Sequence, residues 1–223
     1  MTDILIESPL FQGISEKELH QLVSSFPYQI KTYHQGNLIA SRNETCEFLM
    51  IILEGSVKGE MLDFSGKTIK IEDLQAPRPI APAFLFGIEN RFPVDVIANS
   101  EVKLLYLPRQ TIIQYIQRNE RFLTNYLNAI SNRAQFLTKK LYFLSFSTIK
   151  EKLANYILEL SKPYKTEIEL PVSQQELAEL FGVTRPSLAR SLNELEKTGC
   201  IEVRRKQITI HDRQGLERVL KQG

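Results

Sequence analysis

GVTRPSLARSLNEL, residues 182–195, is the stretch that decides the fold. Gly182 readily takes the positive φ of a tight turn. Thr184 supplies a capping hydroxyl, and Pro186 falls in the first turn of the next helix, where a missing N–H costs little. Leu188, Leu192 and Leu195 then recur at i, i+4 and i+7, one apolar stripe of an amphipathic helix. The opposite face carries Arg185, Pro186, Ala189, Arg190 and Asn193. Just upstream, Ser173 with Glu176 forms a capping-box signature ahead of Leu177 and Leu180, predicting a first helix that ends at Gly182. Val183 is placed to plug the core between the two helices. The pattern is helix, four-residue turn, helix. With small Ala189 at its centre, the exposed face is narrow enough for a groove about 12 Å wide, and arginine at its N-terminal end can offer paired hydrogen bonds to guanine O6 and N7.

Beyond this helix, Ile201-Glu202-Val203 and Ile208-Thr209-Ile210 flank the basic tip Arg204-Arg205-Lys206-Gln207. That predicts a hairpin suited to phosphate contact. Charge supports the same reading. Residues 1–138 hold 13 Lys and Arg against 15 Asp and Glu, whereas residues 139–223 hold 15 against 11. Seven of the basic residues fall within 185–213, and a polyanionic partner is the simplest explanation. Charge alone is equally compatible with a solvated basic face. The cap, the turn glycine, the leucine ladder and the basic hairpin together favour DNA.

Working back toward the N-terminus, residues 28–107 alternate short apolar runs with glycine or proline, as in Phe48–Leu53 before Gly55 and Thr68–Ile71 after Gly66. Many short strands with turn punctuation predict a sandwich, jelly roll or small barrel. Ser15 with Glu18 marks a leading helix over 15–26. From Leu123 the spacing becomes strict: Leu123, Leu127, Ile130, Ala134, Leu137, Leu141 and Leu144 step by alternating fours and threes, the a/d seam of a coiled coil. A bulkier row, Phe122, Tyr126, Phe136 and Phe143, runs beside it. Two apolar faces need two partners. The aromatic row is expected to pack on the β domain and the heptad row on the same helix of a second subunit; packing of both rows within one chain is the alternative. Ser145-Phe146-Ser147-Thr148 interrupts the helix and is expected to be a domain boundary and hinge. Thr148 with Glu151 opens another helix over 149–160, stopped by Pro163. The expected organisation is a sensing domain over 1–117, a dimerisation helix over 118–145 and a DNA-binding domain over 146–223.

From Ser173 to Arg190, with the hairpin to Ile210, the chain resembles the winged helix-turn-helix of the Crp/Fnr family of bacterial transcription regulators, and the preceding order of β-roll and long helix is also similar. The resemblance implies an α+β fold: a cyclic-nucleotide-binding-like β jelly roll, a long dimerisation helix and a C-terminal winged helix-turn-helix. It implies a homodimer on near-palindromic double-stranded DNA, with RNA polymerase as a further partner. By position, Arg185 and Arg190 match the family's base-reading residues. Pro186 stands where many members have an acidic residue, so the half-site is expected to differ there. Ser187, Ser173, Gln174 and Gln175 match positions that meet phosphates, alongside Arg204, Arg205 and Lys206 of the wing.

The family's cyclic-nucleotide site resembles Gly-Glu followed some ten residues later by Arg-Ser or Arg-Thr. Residues 79–93 have no Gly-Glu, and Arg91 is followed by Phe92. Asp95 adds negative charge that opposes a phosphate. cAMP is therefore not the expected effector. The segment is rich in proline and aromatics, and Phe84, Phe86 and Arg91 are candidates for lining a pocket for another small molecule; filling of the pocket by these side chains is an equal alternative. A haem- or small-molecule sensor whose main role is ligand capture is the alternative function. His20, His34 and His211 carry no ligand spacing. Cys46 and Cys200 are too few for an iron–sulfur cluster and are expected to be inert, with a thiol switch as a remote option. No cofactor, no metal and no catalytic set is expected, so the chain reads as no enzyme. It has neither an apolar run long enough to span a bilayer nor a signal peptide, and the expected location is cytoplasmic, without membrane association.

Overall fold

The computed structural model describes residues 1–62, 66, 68–161 and 165–221. It contains two compact units, Met1–Asn132 and Arg133–Gly223.

Among the described residues of the first unit, helices α1 (Thr2–Leu5) and α2 (Glu16–Ser24) precede eight strands. These are β1 (Gln29–Tyr33), β2 (Leu38–Ala40), β3 (Phe48–Glu54), β4 (Ser56–Leu62), β5 (Thr68–Gln75), β6 (Pro79–Ile80), β7 (Asp95–Ala98) and β8 (Val102–Pro108). They form two antiparallel four-stranded sheets, in the orders β1-β8-β3-β6 and β2-β7-β4-β5. The expected capping box starts α2, with Ser15 and Glu18 bonded reciprocally. Strand β3 is buried on both faces, from Leu49 to Leu53. Its register with β8 puts Met50 beside Tyr106 and Leu49 beside Leu107, so alternate residues serve opposite faces of the sheet. The β3–β4 turn needs Gly55: its φ is +80°, and a Cβ there would sit 2.1 Å from the Glu101 carbonyl oxygen.

Helix α3 (Arg109–Arg118) packs under this sheet, and α4 (Glu120–Leu144) follows after a break at Asn119. Asn119 leaves the helical region at φ −139°, and its side-chain oxygen accepts from the Phe122 N–H at 2.8 Å, restarting the helix. The aromatic row of α4 is then divided. Phe122 and Tyr126 lie in the core of the first unit, Phe122 against Phe11 and Tyr115, while Tyr126 donates its hydroxyl to the Pro82 carbonyl at 2.7 Å. Phe136 and Phe143 instead join the core of the second unit. This corrects the expectation that the whole row packs on the β domain: a 25-residue helix is longer than the sheets it flanks, and its second half needs another core.

In the second unit the end of α4 is followed by α5 (Ile149–Ser161), β9 (Glu167–Glu169), α6 (Gln174–Phe181), α7 (Arg185–Lys197), β10 (Ile201–Arg204), β11 (Gln207–Ile210) and α8 (Arg213–Lys221). Pro163, expected to stop α5, lies outside the described residues. The compact units divide inside α4. The polar stretch Ser145–Thr148 is held by local contacts. The Ser145 hydroxyl donates to the Tyr142 carbonyl, the Ser147 N–H donates to the Glu151 carboxylate, and Phe146 packs on Tyr142 and Phe143.

Candidate nucleic-acid interface

Helix α6 begins as the sequence predicts. The Ser173 N–H donates to the Glu176 carboxylate at 2.7 Å, and Ser173 Oγ accepts from the Glu176 N–H at 3.2 Å. The helix buries Leu177, Ala178, Leu180 and Phe181. It ends at Gly182 in the left-handed region, φ 68° and ψ 35°, with the Gly182 and Val183 N–H groups closing onto the last turn. A buried amine secures this end: Lys152 Nζ donates to the Phe181 carbonyl at 3.0 Å, satisfying an acceptor that the helix itself leaves open. Burial lowers the proton affinity of Lys152, and the neighbouring Glu151 carboxylate opposes that shift.

Thr184 caps α7 by accepting from the Ser187 N–H, and Pro186 follows in the first turn. Leu188, Leu192 and Leu195 are buried, with Ser191 beside them. Arg185, Pro186, Arg190 and Asn193 are exposed on the other side, and Ala189 is half-buried. Among the described residues neither arginine has a hydrogen-bond or ion-pair partner. The acidic residues of the helix are occupied: Glu194 pairs with Lys150 at 3.0 Å, and Glu196 accepts from the Val203 N–H at 3.0 Å. The free charge on this helix is therefore positive and points away from its core.

Strands β10 and β11 pair from Ile201↔Ile210 to Arg204↔Gln207, leaving Arg205-Lys206 as a two-residue turn with Arg205 at φ 57°. A third strand, β9, joins through Ile208↔Ile168, which sequence reasoning missed. It is three residues long with one apolar side chain, too short to show a period. The three-stranded sheet also changes the electrostatics of the wing. Arg204 Nε donates to Glu202 at 2.8 Å, holding the Glu202 carboxyl below its usual range, with His211 adding a weaker contact. Lys165, Glu167 and Glu169 line the same groove as Glu202 and Arg204. Unpaired basic charge is concentrated at the turn, on Arg205 and Lys206, while Arg204 is tied to its neighbour.

The other expected phosphate contacts sit near the helix starts. Ser173 and Gln174 are half-buried; Gln175 is exposed and donates to Glu179; the Ser187 hydroxyl bonds the Thr184 hydroxyl at 2.9 Å. Along α4, Leu123 and Ile130 are half-buried and Ala134 is exposed. Leu127, Leu137, Leu141 and Leu144 are 53%, 46%, 69% and 54% exposed, the same row that carries the heptad spacing.

Phe84, Phe86 and Arg91 have different surroundings. Phe84 is exposed, Phe86 packs on Tyr126 beneath the Arg109 guanidinium, and Arg91 Nη1 donates to the Asn43 carbonyl at 2.7 Å. A cavity of about 100 Å³ in the roll is lined by Ile39, Phe48, Met50, Phe92 and Tyr106, with Glu44 and Glu47 also contributing. Cys46 and Cys200 are buried, and burial pushes the Cys46 thiol up to about 11. Among the described residues no group of three His, Cys, Asp or Glu is placed to hold a metal ion, and no helix is long and apolar enough to cross a membrane.

Comparison with known proteins agrees with this geometry. Residues 30–119 match the cyclic nucleotide-binding domain family, and residues 151–219 match the Crp-like helix-turn-helix domain family. The chain is 23% identical over 194 residues to the global nitrogen regulator of Nostoc sp., covering 84% of this chain and 87% of that protein. It is 22% identical over 229 residues to the CRP-like cAMP-activated global transcriptional regulator of Mycobacterium tuberculosis, covering 98% and 99%. The catabolite activator protein of Thermus thermophilus has the same fold, with a TM-score of 0.56 at 21% identity over 96% of this chain and 99% of that one. The chain belongs to the Crp/Fnr family: it is a Crp-like transcription regulator, with a cyclic nucleotide-binding-type domain ahead of a DNA-binding Crp-like helix-turn-helix.

Proposed function

We propose that this regulator acts as a homodimer on near-palindromic DNA, with Arg185 and Arg190 reading guanines and the wing turn holding phosphates. The observation that carries the reading is the pairing of two unsatisfied features: an exposed leucine seam on α4 and partnerless arginines on the exposed face of α7. Covering a leucine fully is worth about 1.5–3 kcal/mol, so four exposed leucines per chain favour a second copy of the helix. The two recognition helices then enter successive major grooves about 34 Å apart. Pro186 offers no side-chain acceptor, which removes a contact to cytosine N4 at its base pair. Ser173, Gln174, Gln175 and Ser187 stand by the backbone, and Arg205 and Lys206 hold the flanking phosphates. The protein works in the cytoplasm, without catalysis, and engages RNA polymerase from the DNA.

The effector of the roll is not cAMP. Phe92 follows Arg91 where the family's nucleotide site has a hydroxyl residue, Arg91 is engaged with Asn43, and Glu44 and Glu47 are among the residues that line the roll cavity. Fixed negative charge beside an anion's site opposes its binding.

A paired substitution tests the DNA reading. Arg185→Ala lowers affinity for the selected site far more than for random duplex, whereas Arg205→Ala lowers both alike and reduces the salt dependence. Equal loss on both DNAs with Arg185→Ala removes the base-reading assignment. Saturable binding of cAMP in calorimetry removes the effector assignment.

A further inference from the structure

We propose that Asn193 is a third base reader, taking an adenine one step along the groove from the guanine read by Arg190. The proposal rests on the reading of α7 as the recognition helix. Of the polar side chains on α7, Ser187 is bonded to Thr184, Ser191 is buried, Glu194 is paired with Lys150 and Glu196 holds the Val203 N–H. The Asn193 carboxamide is exposed and has no partner among the described residues, as is the case for Arg185 and Arg190.

Spacing puts Asn193 beside Arg190 on the exposed face. Residues three or four apart on a helix are surface neighbours, and Asn193 follows Arg190 by three and Ala189 by four. Three residues rise about 4.5 Å, close to the base-pair step of about 3.4 Å. Ala189 contributes only a methyl group between Pro186 and Asn193, so no bulk on that face keeps the carboxamide from a base edge. The chemistry is equally directed. A carboxamide has one acceptor and one donor side by side, matching adenine N6 and N7, and it carries no charge to draw it to a phosphate. Lys197, one turn further, is a cation suited to the backbone. Because Pro186 leaves the first turn without a side-chain acceptor, Asn193 supplies the acceptor by which this face recognises an exocyclic amine.

The test uses the full-length protein and a randomised duplex pool. Sites selected by the wild type are expected to hold an A·T pair beside the G·C pair whose preference Arg190→Ala abolishes. Against duplexes substituted at that A·T pair, the wild type discriminates by about tenfold or more, and Asn193→Ala reduces this to near unity. Affinity of the variant for random duplex stays unchanged, and Asn193→Gln, which keeps the carboxamide, retains part of the preference. An equal fall on every sequence makes Asn193 a backbone contact and overturns the proposal, as does undiminished discrimination by Asn193→Ala. Loss of all sequence preference in the wild type is a different failure, of α7 as a recognition helix. Because Asn193 is exposed, misfolding does not confound the readout, and circular dichroism of each variant checks this.

Discussion

Phe143, one residue before the end of α4, packs its ring 4.7 Å from that of Phe181, the last residue of α6. Tyr156 stands edge-on to both, and Leu144 lies where a Cβ on Gly182 would touch it at 3.4 Å. The last turn of the helix that carries the leucine seam therefore sits against the turn that aims the recognition helix. A displacement of this end of α4 reaches Gly182 through contacts already made.

Phe143→Ala is expected to destabilise the DNA-binding unit by about 3–5 kcal/mol, because it leaves a void among aromatic rings that cannot close over it. Denaturant unfolding followed by circular dichroism measures this. Stability within 1 kcal/mol or so of the wild type would mean that the ring cluster does not hold the turn.

Lys152→Met keeps the apolar stem and removes the ammonium group. The Phe181 carbonyl then loses its charged donor, at an expected cost of about 1–3 kcal/mol. Hydrogen exchange at the Gly182 and Val183 amides should rise in this variant. Unaltered exchange and stability would show that the bond is dispensable.

Leu137→Asp with Leu141→Asp leaves the monomer intact, since both positions are exposed, but places charge in the seam. Sedimentation should report a monomer, and affinity for the selected site should fall by roughly a hundredfold or more as two-handed engagement is lost. A variant that stays dimeric would place the interface elsewhere.

The roll is expected to weaken in alkali. Tyr106, Tyr115 and Tyr126 are all buried, and burial raises each phenol well above its ordinary 10.0. Tyr115 and Tyr126 also donate to the carbonyls of Leu22 and Pro82. A raised folded-state value means that the folded chain keeps its proton while the unfolded chain loses it. The contribution is complete below about 10 and is lost as the pH rises above that. The urea midpoint should fall over this range, and Tyr126→Phe should fall less steeply. A midpoint independent of pH would contradict the burial of these phenols.

The helical parts of the fold were legible because their ends are written in local chemistry. Ser15 with Glu18, Thr148 with Glu151 and Ser173 with Glu176 each form the bonds their spacing predicts, and the turn at Gly182 follows from residue type. What was not legible depends on tertiary contacts. Strand β9 exists because Ile168 pairs with Ile208 across the sheet, and the aromatic row divides because α4 outruns the roll. In the candidate site, the positions of Arg185 and Arg190 followed from the leucine stripe opposite. The tie between Arg204 and Glu202 joins residues two apart on a strand, on one face, but which arginine of the tip it engages is settled only by the strand register. The packing of Phe86 on Tyr126 was not legible for a related reason: the two are distant in sequence.

The most direct test of the account is selection of genomic fragments bound by the purified protein, followed by footprinting of the enriched site. Two-fold symmetric half-sites with centres about 34 Å apart, each protected in the major groove and each losing guanine preference with Arg185→Ala or Arg190→Ala, are the predicted result. An enriched site without symmetry, or binding with no sequence enrichment at all, would contradict it.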